Sequence, residues 1–147
     1  MGIYNAYGQE PIQEAYVTRT FVNADGETWS EINFSAMVNV SSNRLGQLKI
    51  SNAEFLTELS SGKAKMLDNS AYTTAEFTGQ ILTKTKTDKK GLVNTTFEGK
   101  LIFKTFEGSY SANAVITFII NQADVIGLKI LNKENRKEMA VDLVLKD

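Results

Sequence analysis

The sequence predicts an all-β domain with one short α-helix, an antiparallel β-sandwich or closed β-barrel of about eight strands. Three observations predict it. Apolar side chains recur at every second residue over most of the chain, turn-forming residues interrupt that alternation at short intervals, and a single segment carries a helix start signal. Alternation with period two marks strands with one buried and one wet face. Short strands joined by short turns argue against a βαβ fold.

Residues 1–13 read as an extended arm. They combine Gly2, Gly8 and the single proline, Pro11, with isolated apolar Ile3, Tyr4 and Tyr7 that follow no period. Aromatic residues are scarce in purely solvated tails, so this arm is expected to lie against its own domain or a neighbouring subunit. Residues 14–147 then form one β domain. The first strand spans 14–23 and closes with Asn23-Ala24-Asp25-Gly26, where Asp-Gly favours a tight reversal. In the next, 28–41, Ile32, Phe34, Ala36, Val38 and Val40 alternate with Glu31, Asn33, Ser35 and Asn39. A third short strand covers 47–50.

Ser51-Asn52-Ala53-Glu54 fits a capping box, in which serine and glutamate satisfy each other's exposed backbone donors. Phe55, Leu56 and Leu59 form an apolar stripe, and Gly62 stands where a left-handed cap belongs. A helix of about ten residues is stable only when packed on the sheet.

The second half is a meander. Strand 72–86 places Ala75, Phe77, Gly79 and Ile81 on one side, and Asp88-Lys89-Lys90-Gly91 makes a hairpin loop. Strand 92–106 sets Val93, Phe97, Leu101 and Phe103 against Asn94, Glu98, Lys100 and Lys104. Strand 109–120 turns Tyr110, Ala112, Ala114, Ile116, Phe118 and Ile120 inward. A shorter piece, 125–131, precedes a polar turn at 132–137. The last strand, 138–146, buries Met139, Val141, Leu143 and Leu145.

At 147 residues and 42% hydrophobic composition, the chain has the length and apolar content of one domain with its own core. Its 16 basic and 17 acidic residues leave a net charge of −1, without the basic excess that duplex-DNA binders usually carry. The absence of cysteine excludes disulfides and thiolate metal sites. The absence of histidine removes Ser-His-Asp and Cys-His catalysis and the commonest neutral metal ligand. No apolar run approaches the ~20 residues that cross a bilayer. No secretory signal opens the chain, so a cytoplasmic or virion location without membrane insertion is expected. The sequons at Asn33, Asn39 and Asn94 fall inside predicted strands and are read as coincidental.

Each catalytic candidate has a plainer explanation. Glu76 and Glu98 lie on neighbouring predicted strands and would serve as a glycosidase-like carboxylate pair, but their strand faces carry lysines that make ordinary charged surface. Ser60-Ser61-Gly62-Lys63 matches the S-x-x-K seed of serine–lysine acyl transfer, yet it falls at a helix end and lacks companion motifs. Nucleotide and calcium loops are missing, and Asp124 and Asp142 are isolated. No enzyme activity, cofactor or metal is expected.

The most suggestive polar feature is a basic run of Lys84, Lys86, Lys89 and Lys90, followed by Lys100 and Lys104 on the next strand. It would track a phosphate backbone, with Phe106 or Tyr72 as a stacking platform. Lysine and threonine on an outward face also protect a hairpin from edge-to-edge aggregation. Residues 96–120 (TFEGKLIFKTFEGSYSANAVITFII), with Trp29-Ser30-Glu31-Ile32-Asn33-Phe34-Ser35 upstream, resemble YceI-type isoprenoid-binding barrels. The resemblance implies a barrel that holds an apolar ligand and transfers no individual residue.

The leading expectation is a non-catalytic structural subunit that self-associates into a shell-, tube- or virion-like assembly. Its partners would be copies of itself or neighbouring structural subunits. The aromatic arm, the balanced charge and the uncharged Thr, Asn and Ser residues on strand faces motivate it. The alternatives are a single-stranded nucleic-acid-binding barrel and a small apolar-ligand carrier.

Overall fold

The period-two segments form antiparallel strands and the capped segment forms a helix. The computed structural model describes residues 13–22, 27–30, 34–40, 45–60, 73–81, 86–106, 108–122 and 124–145. The elements are β1 (Gln13–Val22), β2 (Glu27–Ser30), β3 (Phe34–Val40), β4 (Leu45–Ile50), α1 (Ala53–Ser60), β5 (Thr74–Ile81), β6 (Lys86–Thr87), β7 (Val93–Lys104), β8 (Ser109–Asn121), β9 (Asp124–Asn132) and β10 (Lys137–Leu145).

The described residues hold ten strands where the alternation suggested about eight, because two predicted strands are each divided. Segment 28–41 divides into β2 and β3. Its partner β1 is irregular: Val17 pairs with Leu143 and Arg19 with Asp142, so Thr18 is an extra, bulged residue. A further register shift falls between Thr20 and Phe21. Bulges bend and twist a strand, and the strand opposite follows in two pieces. Segment 72–86 divides into β5 and β6, both on the same edge of β7. From Ile81 to Lys86 the chain advances five residues, while β7 advances only three between their partners Phe97 and Asn94.

All pairings are antiparallel. The hydrogen-bonded order is β10-β9-β8-β7-β5-β4-β3-β1-β2, with β10 also paired to β1. The sheet therefore curls. The second-half strands turn the predicted residues inward: Ala75 and Phe77 on β5, Phe97, Leu101 and Phe103 on β7, Ala112 through Phe118 at alternate positions on β8, and Met139, Val141 and Leu143 on β10. Inside, Phe97 meets Phe118 edge to face at 5.3 Å, and Phe103 stacks on Tyr110 at 5.5 Å.

The tight curl needs positions without side chains. Gly46, Gly79 and Gly99 face one another across β4, β5 and β7. A Cβ on Gly46 would lie 2.7 Å from the Phe97 ring, and one on Gly99 would lie 2.2 Å from the Thr78 carbonyl oxygen. Glycine at these sites lets the backbones and rings close in.

Helix α1 is shorter than expected, at eight residues. Its cap is Asn52 rather than Ser51: the Phe55 N–H donates to Asn52 Oδ1 at 2.8 Å, and the Leu56 N–H bonds the Asn52 carbonyl at 3.0 Å. Both residue types cap well, and asparagine is the one whose oxygen reaches the third helical N–H. The expected Gly62 cap lies outside the described residues. Phe55, Leu56 and Leu59 are buried. The helix joins the end of β4 to the start of β5, at the same end of the sheet as the β9–β10 turn.

Candidate functional site

Of the predicted positively charged stripe, Lys86, Lys100 and Lys104 share the outward face of β6 and β7 but are spread along it. Lys86, Lys89 and Lys90 are exposed on the β6–β7 hairpin, at the sheet end opposite α1. Lys86 sits opposite Asn94, whereas Lys100 and Lys104 lie six and ten residues further along β7. At ~3.3 Å per residue, those separations are roughly 20 and 33 Å. Lys104 also has a carboxylate partner, Glu76. Phe106 is on the turn beyond the far end of β7, so it is no stacking platform for the hairpin. Lys84, Tyr72 and the arm residues Ile3, Tyr4 and Tyr7 lie outside the described residues.

The hairpin is built by Asp88. Its carboxylate accepts hydrogen bonds from the backbone N–H groups of Lys90 (2.8 Å) and Leu92 (3.0 Å), while Gly91 closes the turn at φ 81°. The Leu92 bond, chiefly, together with the Lys90 bond and Asn94, holds the Asp88 carboxyl below its ordinary range.

Glu76 and Glu98 do not face each other. Gln80, not Glu76, faces Glu98 across the β5–β7 ladder. The offset of four residues separates the two by roughly 13 Å. Each has its own lysine, Lys104 for Glu76 and Lys133 for Glu98. The hydrogen bond from Lys104, foremost, holds Glu76 below the usual carboxylate range. Ser60 is buried and donates to the Thr57 carbonyl at 3.0 Å, ending the helix. Lys63 lies outside the described residues. Among the described residues, no three acidic side chains gather as a metal site, and no helix is long and apolar enough to cross a membrane.

One feature escaped the sequence reading, and a second was expected only in general terms, as uncharged strand faces. Asn132 is fully buried at 0% exposure, in the inward register of Leu128 and Ile130. Its side-chain N–H donates to the Leu59 carbonyl at 3.4 Å, and its oxygen accepts the Glu134 N–H at 3.0 Å. Asn135 donates to the same carbonyl at 3.3 Å, and Lys137 meets Glu58 at 2.8 Å. The β9–β10 turn thus holds the last turn of α1. The only sequence signal was a polar residue in an inward position.

The second feature is the outer face of β8. Ser109, Ser111, Asn113, Val115, Thr117, Ile119 and Asn121 point outward along this 13-residue strand, and none is ionisable. Val115 is paired with Leu131 of β9, and Thr117 with Thr96 of β7, their hydroxyls 3.0 Å apart. Charged groups such as Glu98, Lys100 and Lys129 stand at its margins. Comparison with protein-family models, curated proteins and solved structures finds no match.

Proposed function

We propose that the chain is a non-catalytic structural subunit that self-associates, its sheet closed as a barrel through β1, β3, β4, β5, β7, β8, β9 and β10. The uncharged outer face of β8 carries this reading. Forming an interface strips water from both surfaces, and burying an unpaired charge costs several kcal/mol. A strip of Ser, Asn, Thr, Val and Ile, roughly 43 Å long at ~3.3 Å per residue, adds no charge of its own, and of the charges beside it Glu98 is paired with Lys133 and Glu134 is bonded to Asn113. In a closed ladder only the short strands β2 and β6 are paired on one side alone, so copies would meet chiefly through side chains on outer faces. The assembly would be shell-, tube- or virion-like.

Sedimentation velocity across a concentration series tests the reading. Mass should rise in multiples of 16.3 kDa, and Val115→Lys should return the chain to monomer. A wild-type chain that stays monomeric at every concentration refutes it.

The nucleic-acid reading retains one supporting observation, three exposed lysines on one hairpin whose aspartate is turned onto its own backbone. It predicts salt-dependent oligonucleotide binding that is lost when Lys86, Lys89 and Lys90 are neutralised together. The carrier reading gains no such support. Phe55, Phe77, Phe97, Phe103 and Phe118 are buried, and they take up part of the interior that a ligand would need.

A further inference from the structure

Lys137 and Asn132 are the last pair of the β9–β10 ladder, directly opposite each other beside the end of α1. Both stand in the inward register. Asn132 follows buried Leu128 and Ile130 along β9, and Lys137 precedes buried Met139 and Val141 along β10. Directly opposed residues on one face of an antiparallel ladder have Cβ atoms about 5 Å apart. Lysine is an unusual choice for that register, and only 19% of its side chain is exposed. A potential nucleophile and a fully buried carboxamide are thereby set against each other.

The groups around the pair match what joining them requires. Asn132 Oδ1 accepts the Glu134 N–H at 3.0 Å, a donor placed where negative charge gathers when a nucleophile adds to Cγ. Asn132 Nδ2 donates to the Leu59 carbonyl at 3.4 Å, which fixes the orientation of the amide. Glu58, the residue before Leu59, holds its carboxylate 2.8 Å from Lys137 Nζ, within reach to move a proton. Nucleophile, electrophile, oxyanion donor and base together are the parts of an acyl-transfer site. The chain has no cysteine, so a side-chain amide is a covalent tie still open to it.

We infer that Lys137 and Asn132 condense into a side-chain amide, a self-modification in which Glu58 carries the protons. The Glu58 carboxylate takes a proton from the Lys137 ammonium, and the freed electron pair on Nζ attacks Asn132 Cγ. Glu58 hands that proton to Nδ2 and takes a second from Nζ as the Cγ–Nδ2 bond breaks. An Nζ–Cγ amide forms, ammonia leaves, and the second proton passes to water. No oxidant or co-reactant is consumed. The product staples β9 to β10 beside the last turn of α1, and it is independent of whether copies associate.

Mass spectrometry of the folded wild-type chain tests it, beside Lys137→Arg and Glu58→Gln, with circular dichroism to verify folding. Wild type should weigh less than its sequence by one ammonia. A tryptic digest should yield a branched peptide that joins Asn132 to Lys137 although the chain is cut at Lys133 and Arg136 between them. Both variants should keep the full mass of their sequences. Lys137→Arg removes the nucleophile while keeping a positive charge beside Glu58, so it reads the chemistry apart from the ion pair. A wild-type chain still at full mass after prolonged incubation in the folded state overturns the inference. So does a loss of ammonia without the branched peptide, which marks a cyclised asparagine, and so does a Glu58→Gln chain that links as fast as wild type.

Discussion

Asp88 shows how one carboxylate shapes a loop. Its charge answers the N–H groups of Lys90 and Leu92, and its pKa is held below the usual aspartate value. A depressed folded-state value means that the unfolded chain binds the proton more readily. The stabilisation is complete above the ordinary aspartate pKa and is lost as pH falls through the lower, folded value. Amide exchange at Lys90 and Leu92 should therefore quicken selectively below about pH 4, ahead of the amides in mid-β7. Asp88→Asn should remove that pH dependence, and an acid profile unchanged by the substitution would refute the assignment. Arg136 is the converse, a residue that fits its place poorly. It closes the β9–β10 turn at φ 63°, a left-handed conformation that costs a non-glycine residue roughly 1 kcal/mol. Its backbone N–H bond to the Asn132 carbonyl survives substitution. Arg136→Gly should stabilise the protein by about 0.5 kcal/mol, net of the entropy glycine adds to the unfolded chain. Chemical denaturation would measure it, and a loss of stability would show that the arginine side chain contributes more than its backbone costs.

Helix α1 and the glycine row explain which elements were legible in the sequence. The inner faces of β5, β7, β8 and β10 were readable because a half-buried antiparallel strand displays its burial at every second letter. The separation of β2 from β3 and of β5 from β6 was not, because the alternation in the sequence runs straight on from one to the next. Register belongs to pairs of strands rather than to one, as the bulge at Thr18 shows. The helix cap was misplaced by one because Ser51 and Asn52 are both good caps, and only geometry separates them. The spread of the positively charged stripe was also hidden, because only register shows that Lys86 and Lys104 stand roughly 33 Å apart along one face. Two predictions belong at this scale. Asn132→Ala should cost about 1–2 kcal/mol by denaturation, since it removes a buried donor from the helix's terminal carbonyl, and the exposed Asn135→Ala should cost less. Equal costs would deny Asn132 its special place. Gly99→Ala should cost about 3 kcal/mol, because a methyl 2.2 Å from the Thr78 carbonyl and 2.6 Å from the Gly79 Cα must displace backbone rather than a side chain. A cost below about 1 kcal/mol would mean that the sheet does not need this corner.

At the scale of the molecule, the first and last described strands meet. β1 pairs with β3 and β2 along one edge and with β10 along the other, while β10 also pairs with β9. The sequence could not reveal this. Alternation assigns faces to each strand, and a sandwich and a barrel require the same faces. Hydrogen exchange separates them, because successive backbone N–H groups of a strand point to opposite edges. An edge strand therefore keeps every second amide unpaired and exposed to solvent. In the closed arrangement, amides of β10 from Met139 to Asp142 are bonded whether directed at β9 or at β1, and both sets open only when the whole ladder opens. Their protection should fall within about tenfold of that in β8, the longest strand and one paired on both sides. Amides of β1 between Ala15 and Val17, flanked by β3 and β10, should behave alike, with relief only near the bulge at Thr18. Fast exchange at alternate β10 amides would instead expose a free edge. That result would refute the proposed closure as a barrel and give copies a backbone route to one another, displacing the outer face of β8 as the proposed surface of assembly.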